Sequence, residues 1–217
     1  MTVRLAVFDC DGTLVDGQAA ICDCMEAGFA IAGLPRPDRH DVRRIVGLSL
    51  PGAVRLLAPD GTPEQHAAAV DAYKTAFRQL RIDGRLEEPL FPGIAELLDD
   101  LRAAGWALAV ATGKSDRGLE AVLAAHGIAD SFVSLQTADR HPSKPHPAML
   151  EAALFEAAAQ PQDAVMIGDT HYDIAMAHAA GVRAIGVAWG YHEVDELREA
   201  GAEAVATSVE ELGRMLA

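Results

Sequence analysis

Two aspartates one residue apart, Asp9 and Asp11, are the first residues in this chain whose type and spacing could do chemistry. They follow Leu5-Ala6-Val7-Phe8, a short apolar run with polar flanks that reads as a buried parallel strand, so both carboxylates fall where that strand ends. Side chains two apart on an extended backbone point to the same side, and Gly12 lets the chain turn sharply beside them. Carboxylates that close repel each other, and a cation relieves them. A polar turn after a strand is the plainer reading of Asp-x-Asp-Gly. An EF-hand loop fits poorly, because the positions that need its glycine and its glutamate hold Leu14 and Ala20.

Complementary groups follow downstream. Thr112 offers a hydroxyl and Gly113 an unencumbered backbone N–H at the end of another apolar run, which suits an oxygen of a tetrahedral oxyanion. Gly113-Lys114-Ser115 also has the look of a P-loop tail, but the earlier glycine position holds Leu108. Lys144 shares the chain with only Lys74 and Lys114. Prolines 145 and 147 stiffen its backbone, and a cation held in place can neutralise both a phosphate and an attacking carboxylate. Gly168-Asp169-Thr170-His171-Tyr172-Asp173 puts one carboxylate at a strand end and another at a helix start. With Asp9 they make an oxygen-rich cage that suits Mg²⁺ better than zinc. Helix capping is the competing reading of Asp173, and His171 reads as solvent-facing.

The elements that position these groups alternate. From about Gly17 to Arg85 the pattern is helical throughout: Ile21, Met25, Phe29 and Ala32 recur at helical spacing, Asp38 can cap a helix running to Gly47, a short helix covers Ala53 to Ala58, and Thr62-Pro63-Glu64-Gln65 opens a long one. From Ile94 onward helices alternate with strands at Trp106 to Ala111, Phe132 to Leu135, Ala164 to Ile167, Val182 to Val187 and Ala204 to Ala206. That texture predicts an α/β fold: a Rossmann-like three-layer parallel sheet core from residues 1–15 and 88–217, with residues 16–87 inserted as a four-helix cap domain. Ligands of such sheets bind beyond the carboxyl ends of the strands, where Asp9, Thr112 and Asp169 occur.

Composition narrows the function. A net charge of -14 argues against nucleic acid and anionic membrane as partners, and no apolar run approaches the ~20 residues of a membrane span. The N-terminus has no signal-peptide pattern, which predicts a cytoplasmic protein; Cys10, Cys22 and Cys24 are expected to be reduced and partly buried. Arg36, Arg39, Arg43, Arg44 and Arg55 crowd one short region whose acids are Asp38 and Asp41, a patch that either solvates a helix face or meets an anionic substrate.

In order and placement these pieces resemble the haloacid dehalogenase superfamily of phosphotransferases and phosphohydrolases. Asp-x-Asp-Gly-Thr at residues 9–13, Thr112, Lys144 with its two prolines, and Gly168-Asp169 with Asp173 match its successive motifs. The helical insertion and the tail Gly186-Val187-Ala188-Trp189-Gly190-Tyr191 are similar to the phosphoglycolate-phosphatase branch, and Gly113 departs from it where many relatives have asparagine. The resemblance implies Asp9 as nucleophile and Asp11 as acid and base. It implies Mg²⁺ held by Asp9, Asp169 and the backbone carbonyl of Asp11 with Asp173 in support, and substrate held by Thr112, Gly113 and Lys144. The implied substrate is a small phosphorylated metabolite, with Arg43 and Arg44 as candidates for its second anionic group, and the implied assembly a monomer or homodimer. A β-phosphoglucomutase-like phosphomutase or a sugar-phosphate phosphatase would share these residues. From another class, a non-catalytic binding module would keep the fold.

Overall fold

Strand β1 (Leu5–Phe8) runs down the middle of the molecule with all four of its residues buried. In the computed structural model, which describes residues 2–217, helices α1 (Gln18–Ile31), α2 (Arg39–Arg44), α3 (Leu50–Leu57) and α4 (Pro63–Ile82) follow it without an intervening strand. The chain then alternates: α5 (Ile94–Ala103), β2 (Ala107–Thr112), α6 (Asp116–Ala125), β3 (Ser134–Thr137), α7 (Ala148–Glu156), β4 (Ala164–Gly168), α8 (His171–Ala179), β5 (Arg183–Val187), α9 (Val194–Glu199), β6 (Ala204–Ala206) and α10 (Val209–Leu216).

The six strands form one sheet in the order β3-β2-β1-β4-β5-β6, every pairing parallel. Because β2 and β4 flank β1 on opposite sides, strand order reverses at β1 and a crevice opens at its carboxyl end. Alternation along the strands divides the core. Ala6 and Phe8, with Leu108, Val110, Val165 and Ile167, pack on α5, α6 and α10. Leu5 and Val7, with Ala109, Ala111 and Met166, pack on α7, α8 and α9. Phe8 is fully buried at this centre, and truncating such a side chain to alanine costs about 3–5 kcal/mol.

Helices α1 to α4 have an apolar cluster of their own, in which Ile21, Met25 and Phe29 of α1 meet Val42, Val46, Val54 and Ala69. The capping box read from the sequence is present at α4: Thr62 Oγ1 accepts from Gln65 N at 3.3 Å, and Gln65 Oε1 accepts from Thr62 N at 3.0 Å. Both connections to the sheet run side by side, with Asp16 N donating to Pro89 O (2.8 Å) and Phe91 N to Leu14 O (3.0 Å). Among the described residues no helix is long and apolar enough to cross a membrane.

Three local expectations shift. Helix α2 ends at Arg44 instead of Gly47, because the N–H groups of Ile45 and Val46 turn to carbonyls three residues back, of Val42 and Arg43. Strand β3 begins at Ser134, two residues later than the apolar pair Phe132-Val133 suggested, since Val133 lies 59% exposed before the paired stretch. All three cysteines are free and buried, not partly buried.

Candidate active site

The carboxyl ends of β1, β2 and β4 bring the candidate residues to one edge of the sheet. Asp9 continues β1, its N–H donating to Ile167 O at 2.9 Å, and the loop after it is pinned by Cys10 O, which accepts from the N–H groups of Thr13, Leu14 and Val15. Gly12 takes φ 84°, in the left-handed region that favours glycine.

Asp9, Asp169 and Asp173 are wholly buried, and each offers a carboxylate oxygen within 4.8 Å of the others. Asp169 is oriented by Thr13 Oγ1 (2.8 Å) and Tyr191 N (2.9 Å), both donating to it. Asp173 accepts from Thr170 N (3.0 Å) and Thr170 Oγ1 (2.7 Å), so it both caps α8 and keeps its other oxygen for the site. The helix cap and the bond from Lys144 coexist in one side chain.

Lys144 enters this cluster from the loop before α7 with its ammonium 2.8 Å from Asp9 Oδ1 and 2.6 Å from Asp173 Oδ1. Burial alone would lower its pKa, but Asp173 and Asp9 outweigh burial and hold it above the ordinary lysine value. The Asp9 contact is an ion pair without hydrogen-bond angles, so both Asp9 oxygens remain without a hydrogen-bond partner. Burial, opposed by Lys144 and reinforced by Asp173 and Asp11, pushes the Asp9 carboxyl up to about 7. Asp169 is pushed well up too, by burial and then by Asp9 and Asp173. Three buried carboxylates against one ammonium are short of positive charge, and an all-oxygen donor set suits a hard divalent cation. The residues fit a metal ion.

Thr112 ends β2 buried, its hydroxyl accepting from Lys114 N at 3.2 Å. Gly113 matters for what rests on it: a Cβ there would lie 2.5 Å from Leu48 O and 2.7 Å from Gly47 O. The turn after α2 docks on the sheet edge at that point, and Ser49 N donates to Ser143 Oγ at 2.8 Å beside it.

The arginine expectation needs correction. Neither Arg43 nor Arg44 lines the cleft between the helices and the sheet edge. Arg44 turns outward to a two-pronged ion pair with Glu196 of α9, while Arg36 and Arg39 are taken up by Glu26 of α1 at 2.7 and 2.6 Å. Three arginines of the patch, Arg36, Arg39 and Arg44, are thus paired with acids of α1 and α9. His171 is half-buried, not solvent-facing, and with His192 it joins α8 to the turn after α2: His171 N donates to His192 Nδ1 (3.3 Å), and His192 Nε2 donates to Arg44 O (3.1 Å).

Lys114 and Glu88 were missed. Lys114 Nζ lies 2.9 Å from Asp11 Oδ1 and 2.6 Å from Glu88 Oε1. The scarcity of lysine in the chain was the available signal.

Residues 6–187 match the haloacid dehalogenase-like hydrolase family. The chain belongs to that family. Among curated relatives, the probable phosphatase IndB of Dickeya dadantii (strain 3937) is 36% identical, over 96% of this chain and 91% of its own. The phosphoglycolate phosphatase of Vibrio vulnificus (strain CMCP6) is 30% identical, over 97% and 94%. The crystal structure of a predicted phosphatase from Clostridium acetobutylicum superposes with a TM-score of 0.88 at 26% identity, covering 100% of this chain and 99% of that one. Within the haloacid dehalogenase-like hydrolases the chain is a phosphoric monoester hydrolase, similar to the phosphoglycolate phosphatases.

Proposed function

We propose that this phosphatase hydrolyses a small phosphate monoester carrying a second anionic group, 2-phosphoglycolate being the first compound to try, with Mg²⁺ as cofactor. The observation that supports it most is Asp9: a buried carboxylate with no hydrogen bond to blunt either oxygen, beside the Lys144 ammonium and two further carboxylates. Mg²⁺, held by Asp9, Asp169 and the Asp11 backbone carbonyl with Asp173 in support, would supply positive charge that keeps Asp9 ionised and draws charge from the phosphoryl group.

Asp9 attacks phosphorus in line, the bond from phosphorus to the ester oxygen breaks, and Asp11 gives that oxygen its proton, leaving an aspartyl phosphate. Asp11, now a carboxylate, takes a proton from water as the water attacks phosphorus; inorganic phosphate leaves and Asp9 is restored. The Thr112 hydroxyl, the Gly113 N–H and the Lys144 ammonium hold the remaining phosphoryl oxygens. In this reading residues 16–87 act as a cap over the crevice and residues 1–15 with 88–217 as the catalytic core.

The second anionic group is supported by the cleft. Its volume is about 650 Å³, and Lys74, Arg78, Arg81, Lys114 and Arg117 line it against Asp11 and Asp139, in a chain of net charge -14. That volume, with Met25, Tyr73 and Phe77 in the wall, favours a second reading as a sugar-phosphate phosphatase with a larger substrate. Phosphate release with Mg²⁺, compared as kcat/KM across phosphoglycolate, sugar phosphates and neutral-tailed monoesters, tests both. The first reading expects phosphoglycolate to exceed neutral-tailed esters about tenfold or more; preference for a sugar phosphate transfers the assignment to the second.

A further inference from the structure

Lys114 belongs to neither the carboxylate cage nor the family motifs read from the sequence, yet its surroundings are built with care for a single lysine. Its side chain is 8% exposed, and those of Asp11 and Glu88 are 11% and 6% exposed. The backbone on either side is tied down: Lys114 N donates to Thr112 Oγ1 (3.2 Å), and Lys114 O accepts from Ala138 N (3.2 Å). The ammonium also lies 5.5 Å from the centre of the Phe77 ring of α4.

Glu88 is anchored as well. It sits on the segment returning from α4 to the sheet, its carbonyl accepts from His126 Nε2 (2.7 Å), and Arg81 of α4 approaches Glu88 Oε2 at 3.9 Å. Gly17 closes the other side: a Cβ there would lie 3.3 Å from Asp11 Oδ1 and 3.7 Å from Glu88 Oε1. Both connections between helices and sheet therefore converge on one carboxylate, ammonium, carboxylate chain.

We propose that Lys114 is the positioning residue for Asp11, its ammonium held by Glu88 so that the Asp11 carboxyl is aimed at the ester oxygen while remaining free to exchange hydrogen bonds there. The two contacts of Lys114 differ in kind. The one to Glu88 is a short hydrogen bond; the one to Asp11 is an ion-pair contact that leaves Asp11 Oδ1 without a hydrogen-bond partner. Glu88 anchors the lysine, and the lysine restrains Asp11 without occupying it. Among the described residues Lys114 is the one cation within ion-pair distance of Asp11. Direct capture of a substrate anion by Lys114 is the competing role, and charge opposes it: the one ammonium is already shared between two acidic groups, Glu88 and Asp11.

The inference rests on Asp11 being the acid and base, and its test separates the two. An alkyl phosphate needs its leaving oxygen protonated far more than an aryl phosphate does. For each ester kcat and KM are measured with Mg²⁺ in wild type, Asp11→Asn, Lys114→Met and the double variant Lys114→Met with Glu88→Gln, alongside thermal unfolding. The expected result for Lys114→Met is a kcat about 10- to 100-fold lower on the alkyl ester, less than about 3-fold lower on the aryl ester, and KM within about 2-fold on both. The double variant, relieved of an unpaired buried carboxylate, regains much of the melting temperature that Lys114→Met loses, and the alkyl deficit stays. The proposal is overturned by a raised KM with kcat unchanged, by equal loss on the two esters, by no loss, or by alkyl turnover that returns together with stability. If Asp11→Asn itself loses both esters equally, the acid and base reading falls first and takes the positioning role with it.

Discussion

At the scale of single residues, the site is a charge problem solved by placement. Lys144 stands between Asp9 and Asp173 with no exposed side-chain surface. Removing one partner of such a buried pair strands the other, at a cost of about 3–5 kcal/mol. Lys144→Met is expected to melt well below wild type and to regain part of the difference when Mg²⁺ is added, because the ion supplies the missing positive charge; melting curves with and without Mg²⁺ check this, and an unchanged curve would show that the pair carries no such load. Asp9→Asn has a different signature. It removes the nucleophile while relieving repulsion in the cluster, so turnover is lost with no loss of melting temperature, and turnover at wild-type level would remove Asp9 from its role. Asp9 stood out in the sequence because its motif follows a strand and carries charge that a strand end can use, and Lys144, in the loop between β3 and α7, because lysine is scarce and two prolines stiffen its backbone. Lys114 and Glu88 did not, since nothing along the chain relates a lysine after β2 to a glutamate before α5 until the sheet brings their loops together.

Elements decide how closely the helices approach the sheet edge. The turn after α2 rests on Gly113 and reaches Ser143, His192 and Glu196 through Ser49 and Arg44. Gly113→Ala would drive a methyl group into the Leu48 and Gly47 carbonyls, so kcat/KM should fall about tenfold or more while the melting temperature of the sheet core moves little. Steady-state kinetics beside a melting curve decide it: parallel losses would mean general damage. The same junction titrates. Burial holds the His192 imidazole down at about 4, below its ordinary 6.5, so its contribution to stability is full above 6.5 and is lost as pH falls through 4. Glu196, held down to about 2 chiefly by its bond from Arg44, loses its contribution as pH falls from 4.5 toward 2. Between pH 6.5 and 4 His192 therefore lowers the melting temperature while Asp9, its carboxyl held up at about 7, raises it, so the His192 share is read as a difference: His192→Gln should lie progressively above the wild-type curve, relative to their offset at neutral pH, as pH falls to 4, and parallel curves would assign the limb to other groups. Strands and most helices were visible as apolar periodicity, which burial on a sheet face imposes directly. The end of α2 was not, because Ile45 and Val46 keep the helical spacing of apolar residues while their N–H groups leave the helical ladder. Nor could spacing show that Arg44 would be claimed by Glu196, whose helix arrives from the far end of the chain.

Over the whole molecule, the acidic surface and the basic cleft belong to one argument. A chain of net charge -14 repels a phosphorylated, doubly anionic metabolite at a distance, and screening by salt weakens that repulsion. Inside the cleft basic groups outnumber acidic ones, and Arg78 of α4 and Arg117 of α6 both line it. If substrate is recognised through those two arginines, Arg78→Ala and Arg117→Ala should each lower kcat/KM for phosphoglycolate about tenfold relative to a neutral-tailed monoester, a loss of about 1.4 kcal/mol of selective binding. Arg43→Ala, on a helix whose arginines lie outside the cleft, should leave that ratio unchanged. The wild-type ratio should also fall as salt is raised, because charges in an open cleft are screened within about 10 Å at 0.1 M ionic strength. Should Arg43→Ala change the ratio while Arg78→Ala and Arg117→Ala do not, the specificity surface would lie on α2. If none of the three changes it, shape and the apolar wall select the substrate, and the sugar-phosphate reading gains what the anionic reading loses.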